Sequence, residues 1–137
     1  YTILWLFYLP VIYKREADFS EAKQIIEQEE IASLCSFIPA HTHPYNCWKY
    51  DNKELEQYIP NDIFRRQDLS PAWMHYHYLC CLKISELPNL NSELINKKTR
   101  PVFLNRETAD QLIEIDTPED YEKWKKINTA KQEVVHE

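Results

Sequence analysis

The chain has 137 residues, enough for one domain with its own core. Its formal net charge is −6, with both signs interspersed and no basic run, which argues against a nucleic-acid-binding surface as its main function. Nine Tyr, five Phe and four Trp make it rich in aromatics, yet it has no glycine; about ten would be usual, so a Gly-rich phosphate loop is excluded and turns with positive φ fall to Asn or Asp.

Residues 1–9, YTILWLFYL, are too short to span a bilayer, and they lack the basic flank and cleavage site of a signal peptide. They read as a buried strand over 2–9, stopped at Leu9-Pro10. The chain opens abruptly inside this apolar run, from which a fragment cut at or near a central strand is expected. Residues 11–17 form a loop carrying Lys14 and Arg15. Asp18 is the expected helix cap, with Glu21 three residues on. Phe19, Ala22, Ile25 and Ile26 form the inner stripe of that helix, which ends over Glu27 to Glu30. Ile31 to Ile38 is a second buried strand. Strand, helix, strand within 38 residues predicts a βαβ unit and a parallel sheet.

Residues 39–77 break the rhythm with an irregular, aromatic-rich stretch. Within it, WKYDNKELEQYI predicts a hairpin turning at Asp51-Asn52, with Asn52 as the left-handed residue. This insertion is expected to project from the sheet. Tyr78 to Lys83 is a strand, Ile84 to Leu90 a short helix or turn, and 91–99 a loop. Arg100 to Leu104 is a strand confined to an edge by Pro101.

The most informative stretch is LIEIDTPEDYEKW, Leu112 to Trp124. A short strand, Leu112-Ile113 and Ile115, puts Glu114 and Asp116 on one face. Thr117 supplies an N-cap, Pro118 fits the first helical position, and Glu119 and Asp120 suit the first turn. Tyr121, Trp124 and Ile127 mark an apolar helix face. A carboxylate pair at the end of a strand is placed to hold Mg²⁺ with a substrate phosphate. An acidic cap on an ordinary β-to-α turn is the plainer alternative. Residues 128–137 are polar and expected to fray.

Cys35, Cys47, Cys80 and Cys81 have no disulfide-framework spacing and read as free thiols of a cytoplasmic protein, buried where the runs are apolar. His41/His43 and His75/His77, with Cys47, Cys80 and Cys81 near in sequence, raise the option of zinc. Spacing of two on a strand offers one face only, and no CxxC or HExxH supports it, so loop and strand histidines are expected. A Cys–His nucleophile is likewise outweighed by inert thiols in an apolar strand. Arg65, Arg66 and Gln67, followed by Asp68, offer two guanidinium forks beside an amide, suited to a carboxylate or phosphate. The alternative is a solvated loop with an internal Arg–Asp pair.

Taken together, RRQDLSPAW at 65–73 and IEIDTPEDYEKW at 113–124 resemble the acylneuraminate cytidylyltransferase family, the CMP-sialic acid synthetases and their relatives. The resemblance covers most of the chain in order and spacing, and it is the pair of motifs that makes it specific. It implies an α/β fold with a mostly parallel sheet of the nucleotidyltransferase (GT-A-like) type, forming one domain over 1–137 that corresponds to the family's C-terminal part. It implies transfer of CMP from CTP to a nonulosonic acid with release of pyrophosphate, and Mg²⁺ as cofactor. Asp116 matches a metal-binding aspartate, and Glu114 replaces the other with a longer reach. Arg65, Arg66 and Gln67 match the motif that neutralises substrate charge. The 39–77 insertion takes the place of the family's dimer contacts, implying a homo-oligomer. The family's Gly-rich loop, its Asn-Gly strand opening (Tyr76-His77 here) and its polar Gln-Pro-Thr-Ser-Pro stretch are absent. This chain alone is therefore expected to be inactive, and a non-catalytic oligomerisation or binding module derived from the same fold is the alternative.

Overall fold

The structure, a computed structural model, describes residues 2–28 and 30–136, with side chains as far as Thr129. Its centre is a four-stranded mixed sheet in the order β1-β5-β2-β6, formed by Ile3–Trp5, Trp73–Lys83, Ser33–Pro39 and Arg100–Phe103. A separate two-stranded sheet pairs β3, Trp48–Asp51, with β4, Glu54–Gln57. Three α-helices are found among the described residues: α1 over Glu16–Ile26, α2 over Arg106–Gln111 and α3 over Pro118–His136.

The parallel βαβ unit expected at the start is split. β1 and β2 run the same way, but β5 lies between them, antiparallel to both. Among the described residues only β2 and β6 make a parallel pair, so the sheet is mixed and not mostly parallel. The burial explains the choice. Tyr78 through Leu82 of β5 are nearly fully enclosed, which suits a central strand covered on both faces. The first apolar run supplies only three paired residues, because Leu6 makes a last bond to Cys80 and the chain then turns at Tyr8–Val11. Phe7 and Leu9 are left exposed, so the buried strand expected over 2–9 is a short edge strand.

Helix α1 starts two residues before the expected cap. Arg15 is its extended N-cap residue, and Asp18 lies in the first turn. The Asp18 carboxylate accepts from Arg15 Nε at 2.8 Å and Nη2 at 3.1 Å, and from the buried Tyr78 hydroxyl at 2.7 Å. It ties helix to sheet and does not cap. The inner stripe is as expected, with Ala22 and Ile26 buried and Phe19 and Ile25 packed against the core. That core also gathers Val11, Leu34, Ile38, Leu79, Leu104 and Leu112.

The hairpin projects as its own ribbon, but its turn is one residue later than expected. Asn52 (φ 50°) and Lys53 (φ 66°) are its central pair, so a lysine takes a left-handed position where glycine is usual. β5 starts at Trp73, pairing Trp73 with Pro39 and Tyr76 with Ser36, so residues 73–77 belong to the sheet. β6 is at the edge, as Pro101 demands.

Residues 112–115 are not a sheet strand. They follow α2, which the sequence reading missed, and touch the first loop through one bridge, Val11 with Glu114, and the bond from Ile115 N–H to Pro10 O at 2.9 Å. The α3 cap is the expected one. Thr117 Oγ1 accepts from Asp120 N–H at 3.2 Å, and the Asp120 carboxylate accepts from Thr117 N–H at 3.1 Å and from Asp116 N–H at 3.2 Å. The helical backbone continues to His136, past the point where fraying is expected. Tyr121 and Trp124 stack on each other at 5.9 Å and are outside the core cluster, so this face stays at the periphery. No described helix is long and apolar enough to cross a membrane.

Candidate functional site

Two groups of polar residues collect around the carboxyl ends of the strands that share a direction. The first is a cleft of about 420 Å³ beyond the ends of β2 and β6. β2 leads into Ala40–His43, β6 leads through Asn105 into Arg106, and the 66–72 segment closes the third side. A hydrogen bond from Ala40 N–H to Ala72 O at 3.0 Å fixes the mouth.

Hydrogen bonding sets the charge of this cleft. His43 Nδ1 accepts from Tyr45 N–H at 3.1 Å, so its Nε2 carries the proton and donates to Ser70 O at 2.8 Å. His43 is thus a staple between two loops. Arg106 Nη1 donates to His41 Nδ1 at 3.5 Å, leaving the His41 Nε2–H without a partner among the described residues. The positive charge comes from Arg66 and Arg106, which both line the cleft. Arg106 is held at the start of α2, where Asn105 Oδ1 accepts from Thr108 N–H at 2.7 Å.

The structure separates the basic pair read from the sequence. Arg66 lines the cleft and Arg65 does not. With its amide oxygen turned toward Arg65, Gln67 accepts from Nε at 3.1 Å and Nη2 at 2.6 Å. Gln67 is therefore Arg65's partner. No ion pair joins Asp68 to either arginine among the described residues, so the internal Arg–Asp pair is not formed.

The second group is an acidic corner at the exit of β1. Glu114 is held beside Val11, and Asp116 follows it. Neither carboxylate makes an ion pair among the described residues. Their charge is felt by two phenols. Tyr8 is held above the ordinary tyrosine range, chiefly by Glu114, then by burial and Asp116. Tyr76 is pushed up chiefly by burial, then by Glu114; its hydroxyl donates to Leu112 O at 3.3 Å. Asp120 is different in kind. Its carboxylate is held below the usual range by the Asp116 and Thr117 groups it caps. No hydrogen bond or ion pair connects the acidic corner to the arginine cleft among the described residues.

Cys35, Cys80 and Cys81 are buried free thiols, as expected, whereas Cys47 is partly exposed. Burial pushes the Cys81 thiol up to about 12, which keeps it protonated and unreactive. Arg106, Tyr8 and Tyr76 are the site residues the sequence reading missed. Arg106 follows an Asn that caps a short helix, which was the available signal; the two tyrosines carried none, because contacts between segments far apart in sequence bring them to the acids. No protein-family model matches the chain, and no curated protein matches it.

Proposed function

We propose that the chain is part of a cytidylyltransferase-type nucleotidyltransferase, and that the cleft beyond β2 and β6 receives the anionic sugar-acid substrate. The observation that carries this reading is the meeting of Arg66, from the RRQDL stretch, with Arg106 in one cleft. Ligands of α/β sheets bind beyond the carboxyl ends of the strands, and β1, β2 and β6 all point their carboxyl ends the same way. Two guanidinium groups and the His41 Nε2–H form a donor set for a carboxylate. In the complete reaction the acid's anomeric hydroxyl attacks the α-phosphate of CTP, a P–O bond forms, and pyrophosphate leaves.

Glu114 and Asp116 fit Mg²⁺ in donor type. Both are hard oxygen donors with no cation paired to them among the described residues, and their uncompensated charge raises Tyr8. They are the residues that would hold the ion, which would offset phosphate charge. Arg66 and Arg106 would orient the acceptor and cancel its charge. With no glycine, the chain has no Gly-rich loop for the triphosphate, so on its own it is expected to bind the acid without turning CTP over.

The test is calorimetric titration with sialic acid, alongside its uncharged methyl ester. Arg66→Ala and Arg106→Ala are each expected to weaken binding about tenfold, about 1.4 kcal/mol. Equal binding of acid and ester, or insensitivity to both substitutions, would reject the acid site. Pyrophosphate release with CTP and Mg²⁺ would show that the chain needs no further phosphate loop.

One observation favours a second role, an interface. The projecting 48–64 segment exposes Tyr50 (71%), Leu55 (68%), Tyr58 (64%) and Phe64 (98%). Homodimerisation through this ribbon is expected to be lost in Leu55→Asp by light scattering. A wild-type chain that stays monomeric at high concentration would dismiss it.

A further inference from the structure

We propose that Cys35, Cys80 and His77 form a binding site for a thiophilic divalent metal ion, Zn²⁺ by preference, on the sheet face turned away from the main core. Their ligand atoms all lie within 4.8 Å of one another. Cys35 and Cys80 are directly opposed across β2 and β5, and both are fully buried. Neither joins the apolar core cluster, whereas their neighbour Cys81 does.

The third ligand is delivered by a break in the strand register. Pairing jumps from Cys35 with Cys80 to Ser36 with Tyr76, so His77, Tyr78 and Leu79 bulge out of β5. That irregularity turns His77 toward the two thiols. Its Nε2 lies 2.9 Å from the carbonyl oxygen of Glu93, an acceptor only, so Nε2 must carry the proton. The lone pair is left on Nδ1, the atom available to a metal. Donation of the second ring N–H to a carbonyl is the usual support for a metal-bound histidine. The Glu93 carboxylate meanwhile holds His75 Nε2 at 3.1 Å, fixing the segment that supplies this carbonyl.

Charge favours the same occupant. Binding releases the two thiol protons, and two thiolates with Zn²⁺ and a neutral imidazole carry no net charge, which a buried position tolerates. Two sulfurs and one nitrogen suit zinc, with the fourth position open to water or substrate. The hard-oxygen corner of Glu114 and Asp116 suits a different class of ion, so this site is independent of the proposed catalytic reading.

The test is anaerobic titration of the reduced 137-residue chain with Co²⁺, followed by displacement with Zn²⁺. The expected result is one equivalent bound, with thiolate-to-cobalt charge transfer in the near ultraviolet and the visible bands of a tetrahedral ion. Loss of a supporting partner alone weakens metal sites about 10- to 100-fold, so losing a ligand in Cys35→Ser, Cys80→Ser or His77→Gln should weaken binding about 100-fold or more. Cys81→Ser should leave the spectrum unchanged. His77 is only partly buried, so His77→Gln tests the site without opening the core, and circular dichroism of each apo variant monitors folding. Absence of charge-transfer bands in the wild type overturns the proposal. So does their survival in Cys35→Ser/Cys80→Ser, or an equal loss in Cys81→Ser.

Discussion

The bulge that turns His77 depends on one hydroxyl, and Ser36→Ala tests that dependence. Ser36 is fully buried. Its Oγ accepts from Leu79 N–H at 2.9 Å and donates to Tyr76 O, so it stands in for the ladder bonds that the register break removes. Alanine fits the space but leaves both backbone groups without this partner. A buried orphan costs about 1–3 kcal/mol. Leu79 is enclosed, so its N–H should lose the full amount, whereas Tyr76 O keeps a weak thiol contact from Cys35 at 4.0 Å. The sum is about 2–4 kcal/mol, equivalent to a melting point lower by about 6–12 °C for a chain of this size. Ser33→Ala in the same strand is the control. Among the described residues the Ser33 hydroxyl bonds only to Thr99 Oγ1 at 2.9 Å, and Thr99 keeps the bond it accepts from Asn96 N–H, so the expected loss is about 0.5–1.5 kcal/mol. Urea unfolding of the three proteins measures both. If Ser36→Ala is no worse than Ser33→Ala, the hydroxyl does not hold the bulge.

Tyr78→Phe keeps the ring but removes the bonds to Asp18 and from Arg15 N–H (2.9 Å), for an expected loss of about 2–3 kcal/mol near neutral pH. Burial raises the Tyr78 phenol from its ordinary value of 10.0 to about 12, so its contribution is fully present below pH 10 and fades as pH climbs toward 12. The gap between wild type and variant in unfolding free energy should narrow over that window; a constant gap contradicts it. Lys53→Gly relieves a left-handed lysine and should stabilise the hairpin by about 1 kcal/mol, read by thermal melting, with no gain expected if that φ is unstrained. Glu114→Gln removes the charge that chiefly holds Tyr8 up, so that phenol should ionise at lower pH in an alkaline absorbance titration referenced to Tyr8→Phe. Mg²⁺ should act in the same direction on the wild type, and an unmoved titration in both cases would place the acids away from Tyr8.

Much of the local structure was written in short-range chemistry. The inner stripe of α1, the Thr117–Asp120 cap, the left-handed Asn52 and the edge position forced by Pro101 all depend on residues within a turn of one another. Reading Asp18 as a cap failed because its partners include Tyr78, sixty positions away. Arg66 was legible from its motif as a candidate for a polar site, but Arg106 was not, since only the packing of α2 beside β2 carries it to the same cleft.

The sequence alone determined which segments are apolar enough to enter the sheet and which residues bring charge, thiols and acids. It could not determine strand order. An apolar run suits any covered position, and only competition among all the strands put β5 between β1 and β2. That one tertiary choice opposes Cys80 to Cys35, creates the bulge that turns His77, and leaves the first run at an edge. It also decided the fate of LIEIDTPEDYEKW. Its cap forms by local bonding, but Glu114 and Ile115 pair with the Pro10–Val11 loop instead of joining the sheet, and that pairing sets Glu114 and Asp116 beside Tyr8.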